Sequence, residues 1–294
     1  MNCLQMYEKC ELCARRCRVN RNLTIGYCHS KTKPKISRAA LHMWEEPIIS
    51  GTNGSGTVFF SGCSLGCVFC QNRDISRSSV GKEVSESEIA EIMLSLEEQG
   101  AHNINFVTPT HFVPSVIESV RIARDIGLKI PIVYNTGSYE TKETVELLEG
   151  TVDVYLPDLK YYRKESGEAL SNARDYPTVA RAAISEMIRQ RPTPVIRDGI
   201  MTSGVIVRIL LLPSHLAEAK LSLKYLYDTY GDSVYISLMN QYTPMTGMKP
   251  PLNRTVTNSE YSELVRYAER LGVVNAFIQE GGTQSENFIP PFEI

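Results

Sequence analysis

The chain has no cysteine beyond Cys70, one tryptophan in 294 residues and no excess of either charge. Lys and Arg number 31 against 33 Asp and Glu, a formal net charge of −2. That balance excludes the strongly basic footprint of a nucleic-acid binder, and no basic stripe with interleaved aromatics suggests single-strand binding. No apolar run reaches the roughly 18 residues of a membrane span, and Val205–Leu212 is interrupted by Arg208. The opening Met-Asn-Cys-Leu-Gln-Met-Tyr-Glu-Lys-Cys lacks the apolar stretch of a secretory signal. The expected location is therefore the cytoplasm, with neither membrane nor nucleic acid as partner. No tandem repeat or low-complexity segment is present.

What remains is an ordinary globular composition, 43% hydrophobic and 22% charged. The length suits two domains of roughly 150 residues or one α/β barrel of roughly 200–250 with an extension. Such a chain buries a large core without disulfide staples. Disulfides also belong to oxidising compartments. Yet there are eight cysteines. Five crowd the first thirty residues (Cys3, Cys10, Cys13, Cys17 and Cys28), and Cys63, Cys67 and Cys70 form a second group. A single cysteine is most often a small buried hydrophobe. Two clusters at two- and three-residue gaps point instead to metal.

Cys10, Cys13, Cys17 and Cys28 supply four thiolates, enough to close a tetrahedral site, and closed sites are usually structural. Zinc and a second iron–sulfur cluster both suit that set, because softness alone does not separate them. Cys3 is spare. Residues 1–56 thus read as a cysteine-rich lobe followed by a connector over 31–56, and residues 57–294 as a second domain.

From Thr57 onward, short β-branched or aromatic runs alternate with amphipathic stretches. The runs are 57–61, 103–107, 130–134, 152–156, 205–212, 234–238 and 275–279; the helical stretches are 85–99, 113–126, 141–148, 178–190, 216–230 and 258–271. Ser85 with Glu88 has the form of a capping box, and Gly100, Gly127 and Gly150 sit where helices stop. This order predicts a parallel sheet with helical crossovers, an α/β partial (β/α)6 TIM-type barrel. Chemistry in such folds gathers at the carboxyl ends of the strands. Ser50–Gly56 precedes a strand rather than a helix, so it reads as a turn and not a dinucleotide fingerprint.

After the first of those strands comes Ser61-Gly62-Cys63-Ser64-Leu65-Gly66-Cys67-Val68-Phe69-Cys70-Gln71-Asn72, a C-x3-C-x2-C loop. Iron–sulfur cubanes normally take four cysteine thiolates. Three alone leave one iron open to an outside ligand, as three protein ligands leave catalytic zinc open. A zinc knuckle borrowing a distant fourth ligand is the structural alternative. Gly62 and Gly66 let a short loop wrap closely.

The loop, with Phe69 before its last cysteine and Gln71-Asn72-Arg73 after it, resembles the radical S-adenosylmethionine superfamily. The resemblance is nearest to the pyruvate formate-lyase activating enzyme branch and its uncharacterised relatives, and covers roughly residues 57–280. It implies a [4Fe-4S] cluster on Cys63, Cys67 and Cys70. S-adenosylmethionine would chelate the fourth iron, and its one-electron cleavage would give a 5′-deoxyadenosyl radical that abstracts hydrogen from a substrate. It also implies Phe69 beside the adenine and a one-electron donor such as flavodoxin or ferredoxin. The substrate would be a glycyl radical enzyme, another protein or peptide, or a small molecule.

Other strand ends match in part. Asp158 and Lys160, in a segment resembling the family's Asp-Leu-Lys, would help hold the cofactor, although a plain strand-end salt bridge is the alternative. Arg208 lies in an apolar run where an arginine needs a partner, and a carboxylate held in bidentate fashion would satisfy it. The family's Gly-Gly-Glu is replaced by Val107-Thr108-Pro109-Thr110-His111. Thr108 and Thr110 offer oxygen acceptors to the methionyl ammonium, and a neutral His111 offers nitrogen. Asn135 suits ribose hydroxyls or a polar turn. Asn240 and Gln241 stand where activating enzymes carry a histidine. A non-catalytic, zinc-organised binding module is the reading from another class.

Overall fold

The computed structural model describes residues 3–77 and 80–279. The part of the expected second domain beyond residue 279 lies outside the described residues. Ten strands form β1 (Lys35–His42), β2 (Ser55–Phe60), β3 (Lys82–Glu83), β4 (Ile104–Val107), β5 (Ile132–Thr136), β6 (Val154–Pro157), β7 (Val195–Arg197), β8 (Ile200–Leu210), β9 (Tyr235–Met239) and β10 (Ala276–Ile278) among the described residues. The helices among them are α1 (Pro47–Ser50), α2 (Arg73–Ser76), α3 (Glu86–Glu98), α4 (Val113–Ile126), α5 (Lys142–Glu146), α6 (Lys164–Ser171), α7 (Tyr176–Gln190), α8 (Leu216–Tyr230) and α9 (Asn258–Leu271). None is long and apolar enough to cross a membrane.

The sheet runs β10-β9-β8-β6-β5-β4-β2-β1-β3, with β7 paired to β8. From β2 through β10 along that path every pairing is parallel. Strands buried on both faces need continuous apolar sequence, and β2, β4, β5 and β6 are buried at every residue. Helices return the chain after each of β2, β4, β5, β6, β8 and β9, which makes the partial (β/α)6 barrel. The Ser85–Glu88 capping box starts α3. Thr257 and Glu260 form a second one at α9.

The stretch 31–56, expected to be a connector, contributes a strand instead. β1 pairs antiparallel with β2, running from Ile36 opposite Phe60 to His42 opposite Ser55. It therefore delivers residues 43–50 to the end of the barrel opposite the cysteine loop. There α1 enters the barrel, and Ile49 packs with Val133, Val154, Leu156, Met201 and Ile206. Further elements were not expected, the short α2 and β3 among them. α6 lies between β6 and α7, and β7 makes a hairpin with β8 through Asp198-Gly199, both at positive φ. Asp-Gly is the pair that a tight hairpin turn favours.

Candidate active site

Three sulfurs share one wall of a single chamber. Cys63, Cys67 and Cys70, on the loop after β2, line a cavity of about 600 Å³ inside the barrel. Gly62 and Gly66 both adopt positive φ. A Cβ on Gly62 would come within 2.4 Å of the Cys28 carbonyl oxygen, so only glycine lets this loop lie against the N-terminal lobe. The Leu65 N–H donates to Cys63 Sγ at 3.3 Å and the Ser171 hydroxyl to Cys67 Sγ at 3.0 Å. Burial, then the neighbouring sulfurs, raises the Cys63 and Cys70 thiols, Cys70 to about 12. Left alone these thiols stay protonated; a bound cation reverses that balance. Phe69 is held edge-on between Tyr161 and Tyr242.

The same chamber is lined by a chain of charges at strand ends. Asp158 after β6 takes Lys160 Nζ at 2.6 Å and Arg208 Nε at 2.8 Å. Arg208 also reaches Glu45 at 3.4 Å and donates to the Asn135 side-chain oxygen. Burial pushes the Asp158 carboxyl upward, but Arg208 and Lys160 outweigh it and hold the group below its ordinary value. Thr108 and Thr110 also line the cavity. Thr108 sits at φ +58, where a β-branched residue is strained, and such strain concentrates at functional sites. Gln241 lines the wall and accepts hydrogen bonds from the Gln71 and Gln279 side chains.

Two expected residues stand off the cavity wall. His111 is buried behind the cysteine loop, its Nε2 2.8 Å from the Ser61 carbonyl oxygen, and its own carbonyl accepts from Arg21. Burial, with Arg21 adding, pushes its pKa down to about 3. Asn240 is buried at the end of β9, and its N–H donates to Gln279 Oε1. Its neighbour Gln241 is half-buried and faces the cavity.

Glu45, Glu46 and Trp44 are cavity residues that sequence reasoning missed. They come from the segment after β1, which runs antiparallel to β2 and so ends at the opposite end of the barrel from the parallel strands' carboxyl ends. An acidic pair before Pro47 carries no signal that separates it from a solvated turn.

In the N-terminal lobe, Cys10, Cys13 and Cys28 are buried, and Cys17 Sγ accepts from the Tyr27 N–H. A Cβ on Gly26 would touch both Cys17 and Cys28 sulfurs at 3.6 and 3.7 Å. Burial raises the Cys13 thiol to about 12, and the other three sulfurs add to it. Among the described residues no group of three or more Cys, His, Asp or Glu is drawn together tightly enough to hold a single metal ion. Arg15, between two of these cysteines, donates to the carbonyls of Ser64, Leu65 and Ser171 at 2.9–3.1 Å. Its guanidinium stacks 3.9 Å from the Tyr27 ring centre. The lobe is thereby pinned to the second cysteine loop.

Comparison with known proteins agrees with this arrangement. The Radical SAM superfamily model matches residues 57–214. An uncharacterized Methanocaldococcus jannaschii protein, MJ0674, is 31% identical over 276 residues, covering 90% of this chain and 75% of its own. Among solved structures, Streptococcus suis SuiB bound to S-adenosylmethionine superposes with a TM-score of 0.51 at 13% identity, over 75% of this chain and 49% of SuiB. HydG, a maturase of the [FeFe]-hydrogenase, gives 0.55 at 15% identity over 82% and 56%. The chain thus spans less than two thirds of either structure, and at these identities the likeness is one of fold.

Proposed function

Because the chain belongs to the radical S-adenosylmethionine superfamily, whose enzymes use a [4Fe-4S] cluster and S-adenosylmethionine, we propose that Cys63, Cys67 and Cys70 hold that cluster here. The observation that carries the proposal is the cavity that joins the three sulfurs to the Asp158, Lys160 and Arg208 charges. Three thiolates on one wall leave room for an outside ligand, and about 600 Å³ lies within the usual range for a ligand chamber. When bound and reduced by one electron, the pair would supply methionine and a 5′-deoxyadenosyl radical able to take a hydrogen atom from the substrate.

The protein's part is to hold and to exclude water. Arg208 and Lys160 present N–H donors to the cofactor's carboxylate. Thr108 and Thr110 present oxygens to its ammonium in place of the absent Gly-Gly-Glu. Phe69 offers an aromatic face to the adenine, and Asn135 and Gln241 hydrogen-bond partners to its polar edges. Cys10, Cys13, Cys17 and Cys28 are the candidate ligands of a second metal, zinc or iron–sulfur, in the N-terminal lobe. A one-electron donor such as flavodoxin or ferredoxin supplies the electron from the cytoplasm.

The substrate reading most in keeping with the branch resemblance is the glycine of a glycyl radical enzyme. A second reading, a small molecule or a peptide side chain, is favoured by the acids Glu45 and Glu46 inside the chamber, which a backbone glycine does not require. The test is anaerobic: reconstitute with iron and sulfide, reduce with dithionite, add S-adenosylmethionine and measure 5′-deoxyadenosine by chromatography. Product is expected from the parent and not from Cys67→Ala. Zinc at both cysteine sets with no iron would overturn the reading.

A further inference from the structure

We propose that Glu45 and Glu46 form a receptor for a cationic group of the substrate, a primary ammonium or a guanidinium, at the end of the chamber remote from the cysteines. The inference rests on the chamber's being the substrate site, as read above. Its own support is the local arrangement of charge.

The backbone that carries the pair is held firmly. The Glu45 N–H donates to Ser50 Oγ at 3.0 Å, and the Glu46 carbonyl accepts from the N–H groups of Ile49 and Ser50 at 2.7 and 3.0 Å. Pro47 begins α1, and Ile49 anchors it among the apolar side chains at the barrel's far end. An apolar plug thus carries two carboxylates inward with it.

Their partners do not suffice. The chamber holds three carboxylates, Glu45, Glu46 and Asp158, and two cations, Arg208 and Lys160. Lys160 is engaged by Asp158, and Arg208 is shared between Asp158, Glu45 and Asn135. One negative charge is left over when all are ionised. Glu46 is 8% exposed, lines the chamber, and its Oε2 has no hydrogen-bond donor. A buried carboxylate oxygen without a donor is costly. The missing element is a donor bearing positive charge, and the space beside it is the chamber. An anionic or purely apolar group at that point would worsen the balance. Burial raises both carboxyls while Arg208 opposes it, and an arriving cation would act in the same direction as Arg208.

Trp44 lines the same chamber and is 62% exposed, which suits an indole face meeting an organic cation. As the chain's one tryptophan, it also reports binding beside the acids without any turnover.

The experiment titrates the reconstituted, S-adenosylmethionine-loaded protein with agmatine, cadaverine, 1-pentanol and glutarate while following tryptophan fluorescence. Agmatine and cadaverine together test the cation, and their ratio separates guanidinium from ammonium. Saturable changes are expected with one or both cations and none with pentanol or glutarate. Glu46→Gln should weaken the response at least roughly tenfold, about 1.4 kcal/mol, and Glu46→Asp should recover part of it. Equal responses to pentanol, or an unchanged response in Glu46→Gln protein that is folded by circular dichroism, would overturn the receptor. So would a matching loss of labelled S-adenosylmethionine retention, which would assign Glu46 to the cofactor. 5′-Deoxyadenosine measured on the same samples keeps the two readings apart. Cleavage without a cation response sinks the receptor alone. A cation response without cleavage sinks only the cofactor reading.

Discussion

Cys10, Cys13, Cys17 and Cys28 gather in a lobe away from the chamber, whereas Cys63, Cys67 and Cys70 stand on its wall. Both sets sit in short loops with residues at positive φ, Arg16 and Arg18 in one, Gly62 and Gly66 in the other. Both raise thiols by burial. The difference is what the fourth position faces. In the lobe a fourth cysteine is present, and the Arg21 guanidinium lies 4.0 Å from Cys10 Sγ. In the loop there is no fourth, and the open side faces Asp158, Lys160 and Arg208. A complete set suits holding the fold together, and an incomplete set facing a chamber suits chemistry.

The sharpest way to break that comparison is to remove one sulfur from each set. Cys67→Ala is expected to abolish 5′-deoxyadenosine formation and lower iron content while circular dichroism stays unchanged. Cys13→Ala is expected to lower the melting temperature while its folded fraction still forms product. Should folded Cys13→Ala protein form none, the lobe would belong to the electron path and the distinction would fail.

Next in size is the charge chain in the same chamber. Asp158→Asn leaves Arg208 and Lys160 facing each other in a buried site. Losing one partner of such a network costs about 3–5 kcal/mol, read as a fall in the urea midpoint at pH 7. The carboxyl's folded pKa lies below its unfolded one. Its contribution is therefore present above the ordinary aspartate value of about 3.9 and lost as pH falls through the lower folded value. The gap between parent and variant should close in acid. A constant gap would mean that Asp158 acts through packing alone.

Arg15 connects the two halves of the comparison. Arg15→Ala removes donors from the Ser64, Leu65 and Ser171 carbonyls and the stacking on Tyr27. The expected cost is about 1–3 kcal/mol, with faster loss of iron to a chelator from the second loop. Unchanged iron retention would mean that the lobe does not support that loop.

The parallel core was legible because its period is local: buried runs of four to six residues separated by amphipathic stretches. α4, α8 and α9 begin and end at the expected residues. The cysteine loop was legible because spacing alone carries its chemistry. Glu45 and Glu46 were not, since their burial depends on β1 pairing antiparallel with β2 and on α1 entering the barrel end. His111 reads as a strand-end residue by position, but its ring meets the Ser61 carbonyl fifty residues away, and its own carbonyl accepts from Arg21 ninety residues away. Long-range packing decides such side chains.

The smallest effect probes how dry the seam between the lobe and the chamber wall is. Glu140 is fully buried there, its backbone bridged to Cys13 and its carboxyl accepting from the Thr136 and Thr110 hydroxyls. Its Oε2 has no donor. Burial raises its pKa from 4.5 to about 7 against those hydrogen bonds. The folded state thus keeps a proton that the unfolded chain has released. The resulting stability is fully present below about pH 4.5 and is lost as pH rises toward about 7, with a slope of at most about 1.4 kcal/mol per pH unit. Glu140→Gln cannot titrate, so its stability relative to the parent should climb across that window. His111 acts with the opposite sign, losing stability as pH falls below 6.5, but it is common to both proteins and cancels in the difference. Urea midpoints compared at several pH values give the answer. A flat difference would mean that Glu140 stays ionised on both sides of unfolding, and that water reaches the seam joining the two cysteine regions.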